Sequence, residues 1–206
     1  MKTYIDIEQW NRKETFNFYL SYDQPCFNIT AHIKVNSMLN ESRTQNFPLG
    51  LLSLYYITVA ANQVDAFRLR LENLKPVQYD EIYPGCTILY DDETFGFAYF
   101  KYFQDKALFI SEGKKVIEQQ KKNKTFVPKA SDNGLIHCSI IPWISFTSFS
   151  HATSKHGDPS IPKIVIGKIY KKDDESWMPI SVEVHHALVD GLQVGKYFEV
   201  MEVLCR

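Results

Sequence analysis

Phe27, Ile29, Ala31, Ile33 and Val35 alternate with Asn28, Thr30, His32 and Lys34, and this period of two predicts a half-buried strand over 27–35. Just before it, Phe16, Tyr19 and Leu20 recur at spacings of three and four behind Glu14, which predicts a short amphipathic helix within 10–20. Residues 47–70 are apolar nearly all round from Leu49 to Ala61, with Pro48 near the first turn, where a missing N–H costs least. A long buried helix is expected there. Residues 86–90 and 97–103 read as strands joined by the polar Asp91-Asp92-Glu93-Thr94, a pattern that suits a hairpin. Asp105 is a candidate cap for a helix reaching about Lys122, with Lys114, Lys115, Lys121 and Lys122 on a solvated face. Strands are expected at 135–141, 144–149, 163–170 and 176–185, with a Ser-, Gly-, Asp- and Pro-rich loop over 151–161. Val194, Tyr197, Phe198 and Met201 mark a closing amphipathic helix after Asp190-Gly191. The economical architecture is a single domain over 1–206, of α/β (α+β) class, in which a large mixed sheet is covered by helices.

Composition narrows the functions open to such a fold. Across 206 residues, 45% apolar content with 14 Phe, 12 Tyr and 3 Trp fills a large core. Lys and Arg number 23 against 24 Asp and Glu, and no segment concentrates either sign, so nucleic acid is not an expected partner. The first residues lack the apolar core of a secretory signal, and residues 47–61 are interrupted and too short to span a bilayer, for which about 20 residues are needed. A cytoplasmic location and no membrane contact are the corresponding expectations. Cys26, Cys86, Cys138 and Cys205 form no C-x-x-C pair, which argues against a zinc knuckle or redox dithiol. Cys138, in an apolar run, reads as a small buried hydrophobe.

The chemistry concentrates at the strand-to-helix junction Val182-Glu183-Val184-His185-His186-Ala187-Leu188-Val189-Asp190-Gly191. Adjacent histidines on an extended chain point to opposite faces, so a shared metal ion is disfavoured and one of the two serves a given pocket. A neutral imidazole suits proton abstraction near neutral pH. By position alone, Asp190 is best read as the cap of the closing helix.

These residues carry a resemblance. His185-His186-Ala187-x-x-Asp190-Gly191 resembles the C-terminal active-site signature of the chloramphenicol acetyltransferases. Asp6-Ile7-x-Gln9-Trp10-x-Arg12-Lys13-Glu14-x-Phe16 is similar to that family's N-terminal block, Phe67-Arg68 to its middle helix exit, Glu93-Thr94-Phe95 to its central strand junction, and Pro142-Trp143-Ile144-Ser145-Phe146-Thr147-Ser148-Phe149 to a further block. The matches keep family order over almost the whole chain. Catalytic domains of dehydrogenase E2 components share only the terminal histidine motif.

The resemblance implies a homotrimer of two-layer subunits with active sites at the interfaces, acetyl-CoA as co-substrate with no permanently bound cofactor or metal, and a small hydroxyl acceptor such as chloramphenicol. It assigns His186 as general base and Ser139 as the donor to the oxyanion, with Arg12 and Asp190 as a supporting ion pair. Tyr19, Cys26, Phe27, Phe95 and Phe149 correspond to acceptor-pocket positions, and Trp143 and Lys168 to positions near the coenzyme. Without it, the aromatic residues would be read as packing.

Departures are visible. Glu183 replaces a common glutamine, Leu192-Gln193 replaces Phe-His, Val165 stands where a threonine helps hold a water near the oxyanion, and His151 stands where an apolar pocket residue is common. They motivate a rival reading, a non-catalytic trimer that binds a small ligand. Retention of both His186 and Ser139 favours the enzyme.

Overall fold

Among residues 1–129, 132–154 and 157–206, which the computed structural model describes, the chain forms ten β-strands and five α-helices. After β1 (Lys2–Tyr4) and a 3-10 turn at Ile7–Gln9 comes α1 (Lys13–Leu20), which buries Phe16 beside Trp10 at 5.6 Å between ring centroids. The alternating segment is β2 (Cys26–Lys34). Next are α2 (Asn36–Thr44) and α3 (Leu49–Gln63), followed by a 3-10 turn at Asp65–Arg68. β3 (Leu69–Glu72), β4 (Lys75–Tyr79), β5 (Tyr83–Leu89), β6 (Phe95–Tyr99) and α4 (Lys106–Asn123) lead to β7 (Leu135–Ile141). β8 (Lys163–Gly167), β9 (Tyr170–Lys172), β10 (Glu175–His185) and α5 (Gly191–Cys205) complete the chain.

The main sheet runs β2-β10-β8-β7-β5-β6, with β9 also on β10, and a smaller sheet runs β1-β4-β3. β7 is parallel to both neighbours, and the other pairings are antiparallel, so the large sheet is mixed as expected. Register sorts its residues by face. Val182 pairs with Ile29 and Ile164, and Ile180 with Ala31 and Ile166; Val182, Ile180, Ile29, Ile164 and Ile166 belong with Val184 and Cys138 to the core beneath the helices. The other face carries the row Asn28, Glu183, Lys163 and His137, and beside it the row Thr30, Ser181, Val165 and Ser139.

α3 is apolar all round because α2, α4, α5, β5 and β7 surround it, and every residue from Leu51 to Ala61 is buried. Each large apolar side chain so enclosed contributes about 1.5–3 kcal/mol of burial free energy. Asp105 caps α4 by accepting from Leu108 N at 2.7 Å, and Lys114, Lys115, Lys121 and Lys122 are exposed.

Several expectations need correction. The helix expected over 47–70 starts one residue after Pro48, its N-cap, and stops at Gln63. There Asn62 bonds to both the N–H and the C=O of Ile82, and the chain turns into β3. The strand expected at 144–149 is irregular chain: Lys168 N donates to Ile144 O at 2.8 Å, and a Cβ on Gly167 would stand 2.8 Å from both Ile144 O and Phe146 Cε1. This segment lies over the outer face of β8 instead of joining the sheet. The strand expected at 163–170 breaks after Gly167, and the one expected at 97–103 is the earlier Phe95–Tyr99. In the loop expected at 151–161, residues 155 and 156 lie outside the described residues.

Candidate active site

His186 follows the last residue of β10, and its surroundings are built from three elements. Its backbone N–H donates to Pro25 O at 2.8 Å, which extends the β2–β10 ladder by one bond. Its ring stacks on Tyr19 from α1, with centroids 3.7 Å apart and planes within 6°, and lies 4.6 Å from Phe27 of β2. Two aromatic walls thus fix the ring plane. Nδ1 is enclosed without a hydrogen-bond partner among the described residues.

The same turn is held from below by charge. Arg12 donates through one terminal nitrogen to Asp190 at 2.5 Å and through the other to His186 O at 3.4 Å. Asp190 also caps α5: its side chain accepts from Leu192 N at 3.3 Å, and Gln193 Oε1 accepts from Asp190 N at 3.0 Å to close a capping box. Burial acts to raise the Asp190 pKa, but the Arg12 hydrogen bond and charge outweigh it and hold the carboxyl below its ordinary value. Asp190 is therefore both a cap and half of an ion pair. Gln193, noted in the sequence only as a departure, is the cap's reciprocal partner.

His185 has a separate environment. It is 3% exposed, its Nδ1 accepts from Ala187 N at 3.2 Å, and burial pulls its pKa down to about 4. It is a neutral structural imidazole, while His186 is only half-buried.

Ser139 lies elsewhere. It is half-buried on the outer face of β7, level with Val165 and Ser181. β10 runs antiparallel to β8 and β7 parallel to it, so Ser139 and His186 sit at opposite ends of the sheet. Two strand spacings across and five residues along place them roughly 20 Å apart within one chain. Val165 is fully buried and offers no hydroxyl there.

The other site residues divide between these two places. Tyr19 and Phe27 contact His186. Cys26, opposite His185, donates its thiol to Pro159 O at 3.4 Å, and burial chiefly, with the Glu183 charge adding, raises its pKa to about 11. Phe149 is in the segment over β8, on Ser139's face. Phe95 stands at the start of β6, in the β5–β6 turn block at the edge of the sheet rather than in a central strand. Phe97 and Phe126 join it at 5.9 and 5.7 Å. Those two were missed, although Phe97, two residues on, shares the face of Phe95 by strand alternation. Trp143 is 62% exposed and Lys168 is exposed, and the Lys168 N to Ile144 O bond brings Lys168 next to the residue after Trp143, beyond the C-terminal ends of β7 and β8, towards which Ser139 of β7 also lies.

Glu183 forms a 2.6 Å pair with Lys163, the two side chains being 12% and 17% exposed. The departure at this position thus carries its own counter-ion.

Comparison with known proteins sets this geometry in context. A family model described as chloramphenicol acetyltransferase matches residues 1–202. Chloramphenicol acetyltransferase from Proteus mirabilis is 29% identical over 202 residues, covering 98% of this chain and 93% of that protein. The enzyme of that name from Clostridium perfringens is 30% identical over 197 residues, covering 94% and 90%. A solved chloramphenicol acetyltransferase structure, 28% identical, superposes with a TM-score of 0.87 over 100% of this chain and 98% of its own. Dihydrolipoamide acetyltransferase from Azotobacter vinelandii, 11% identical with a TM-score of 0.69 over 93% and 86%, shares the fold.

Proposed function

We propose that this chain, which belongs to the chloramphenicol acetyltransferase family and is an acyltransferase, moves an acetyl group from acetyl-CoA to a hydroxyl of chloramphenicol or a similar small acceptor, with His186 as general base. The observation that carries the reading is the fixation of His186: a ring stacked on Tyr19, a backbone N–H on Pro25, and a carbonyl held by the Arg12–Asp190 pair.

In this reading Nε2 of His186 removes the acceptor's hydroxyl proton as the oxygen attacks the thioester carbonyl. The tetrahedral oxyanion accepts a hydrogen bond from Ser139 Oγ. Collapse breaks the C–S bond, and the imidazolium returns its proton to the departing thiolate, leaving the acetyl ester and free CoA. No acyl-enzyme forms. Holding both substrates in one site supplies a further large part of the rate.

The separation of Ser139 from His186 within one chain supports an active site shared between copies, and the family resemblance favours a homotrimer. His186, Tyr19, Cys26 and Phe27 from one subunit then face Ser139, Phe95 and Phe149 from the next. Trp143 and Lys168, near Ser139, suit the coenzyme: an indole on its apolar parts and an ammonium on a phosphate.

The test is release of CoA thiol from acetyl-CoA by purified protein, with and without chloramphenicol, for the native chain and His186→Ala. Drug-dependent release that His186→Ala abolishes is the expected result. Coenzyme binding without drug-dependent release redirects the search to other hydroxyl compounds, and absence of coenzyme binding favours a non-catalytic ligand-binding trimer.

A further inference from the structure

One polar side chain on the outer face has no part in the reaction just described. His151 belongs to the segment that lies over β8, and its ring meets Phe149 edge-on with centroids 4.9 Å apart. Its Nε2 is enclosed with no hydrogen-bond partner among the described residues. A buried donor or acceptor left unpaired is costly, and a native structure seldom keeps one without a use.

The surroundings make this nitrogen well placed for a ligand. Ile144 O, ahead of His151 in the chain, accepts from Lys168 N, and Pro159 O, beyond it, accepts from the Cys26 thiol. The nearby charges, Lys163 and Glu183, already satisfy each other at 2.6 Å and leave the imidazole free. Burial lowers the His151 pKa; Glu183 opposes and Lys163 assists that shift. A neutral ring donates or accepts at Nε2 according to its tautomer. Phe149, which the His151 ring meets, packs on Phe146 over Gly167 on Ser139's face of the sheet, so His151 stands beside the half-site that carries the oxyanion donor.

We propose that His151 sets acceptor specificity: its unpartnered Nε2 hydrogen-bonds a polar substituent of the acceptor, and the protein selects hydroxyl compounds bearing a second hydrogen-bonding group over those presenting apolar surface at that point. The proposal rests on the acetyl-transfer reading. A site with a buried polar group rejects an isostere that leaves that group unpaired, whereas a wholly apolar wall favours the apolar isostere.

The experiment uses the full chain and two isosteric pairs of chloramphenicol analogues. One pair replaces the nitro group by hydroxyl or methyl, and the other replaces the dichloroacetyl group by hydroxyacetyl or propanoyl. The ratio of kcat/KM within a pair cancels any general loss of activity. In the native chain the hydroxyl member of one pair should be favoured by roughly tenfold. His151→Leu should bring that ratio to one or below, and His151→Gln, which keeps a donor and an acceptor, should retain part of it. A native chain with no such preference, or a preference that His151→Leu leaves intact, overturns the assignment while acetyl transfer stands. Turnover of none of the four analogues by the native chain overturns this inference, while CoA release with chloramphenicol itself decides separately whether the acetyl-transfer reading stands.

Discussion

Two adjacent histidines do different work because the strand ends between them. His185 is sealed in and His186 is held by aromatic faces at the rim. We expect His186→Ala to lower kcat by about 10²–10⁴, the range of a lost general base, with acetyl-CoA binding retained in a calorimetric titration. For His185 the consequence is stability. Its folded pKa of about 4 lies below the ordinary 6.5, so the unfolded chain binds the proton more tightly. Its contribution is fully present above pH 6.5 and is lost as pH falls towards 4, by roughly 3 kcal/mol at most. His137, depressed to about 4 chiefly by burial, acts in the same direction. Urea unfolding between pH 7.5 and 4.5 should show a loss of stability that is shallower in His185→Asn. Much at this scale was legible in the sequence, since alternation along 180–185 already assigned the two rings to different sides. The bonded environment of His185 was not, because its Nδ1 accepts from Ala187 N in a turn that forms only where the strand ends.

At the scale of elements, the junction between β10 and α5 is the most informative piece. The capping box and the Arg12 ion pair meet at Asp190, so the two functions separate by substitution. Asp190→Asn keeps a good cap and loses the charge, and it should lower kcat more than the melting temperature. Gln193→Ala should act mainly on the melting temperature, at a cost of about 1 kcal/mol. The segment over β8 gives a second expectation. Gly167→Ala places a Cβ against Pro179 of β10, the Ile144 carbonyl and Phe146, so it should displace the residues that carry Phe149 and both raise acceptor KM and lower the melting temperature. The Asp105 cap marked α4 and an apolar run marked β7, while periodicity found β2, α1 and α5 because each has one apolar side facing the core. It failed for residues 144–149, whose aromatic run packs on top of a sheet rather than within one. It also missed the β3–β4 hairpin, whose turn places Asn73 and Leu74 at positive φ of 52° and 61° without the glycine that usually signals it. α2 went unread because it is polar, with Met38 its buried residue.

For the whole molecule, the sheet sets His186 and Ser139 apart, and the proposed function follows only if two copies share each site. Its faces and its antiparallel β8–β10 pairing send His186 and Ser139 to opposite ends, and in the proposed homotrimer a closed ring of identical chains would bring one end against the other. The residues were legible from the family resemblance, but their division into two groups was not, because register is a property of the folded sheet. The most direct test is subunit complementation. His186→Ala and Ser139→Ala chains are each purified alone and then co-expressed and purified together. If each site takes His186 from one copy and Ser139 from another, random mixing leaves about a quarter of the sites with both groups, and co-expressed protein should show about a quarter of native acetyl transfer to chloramphenicol. Activity no greater than that of the two parent variants would contradict a site shared between copies.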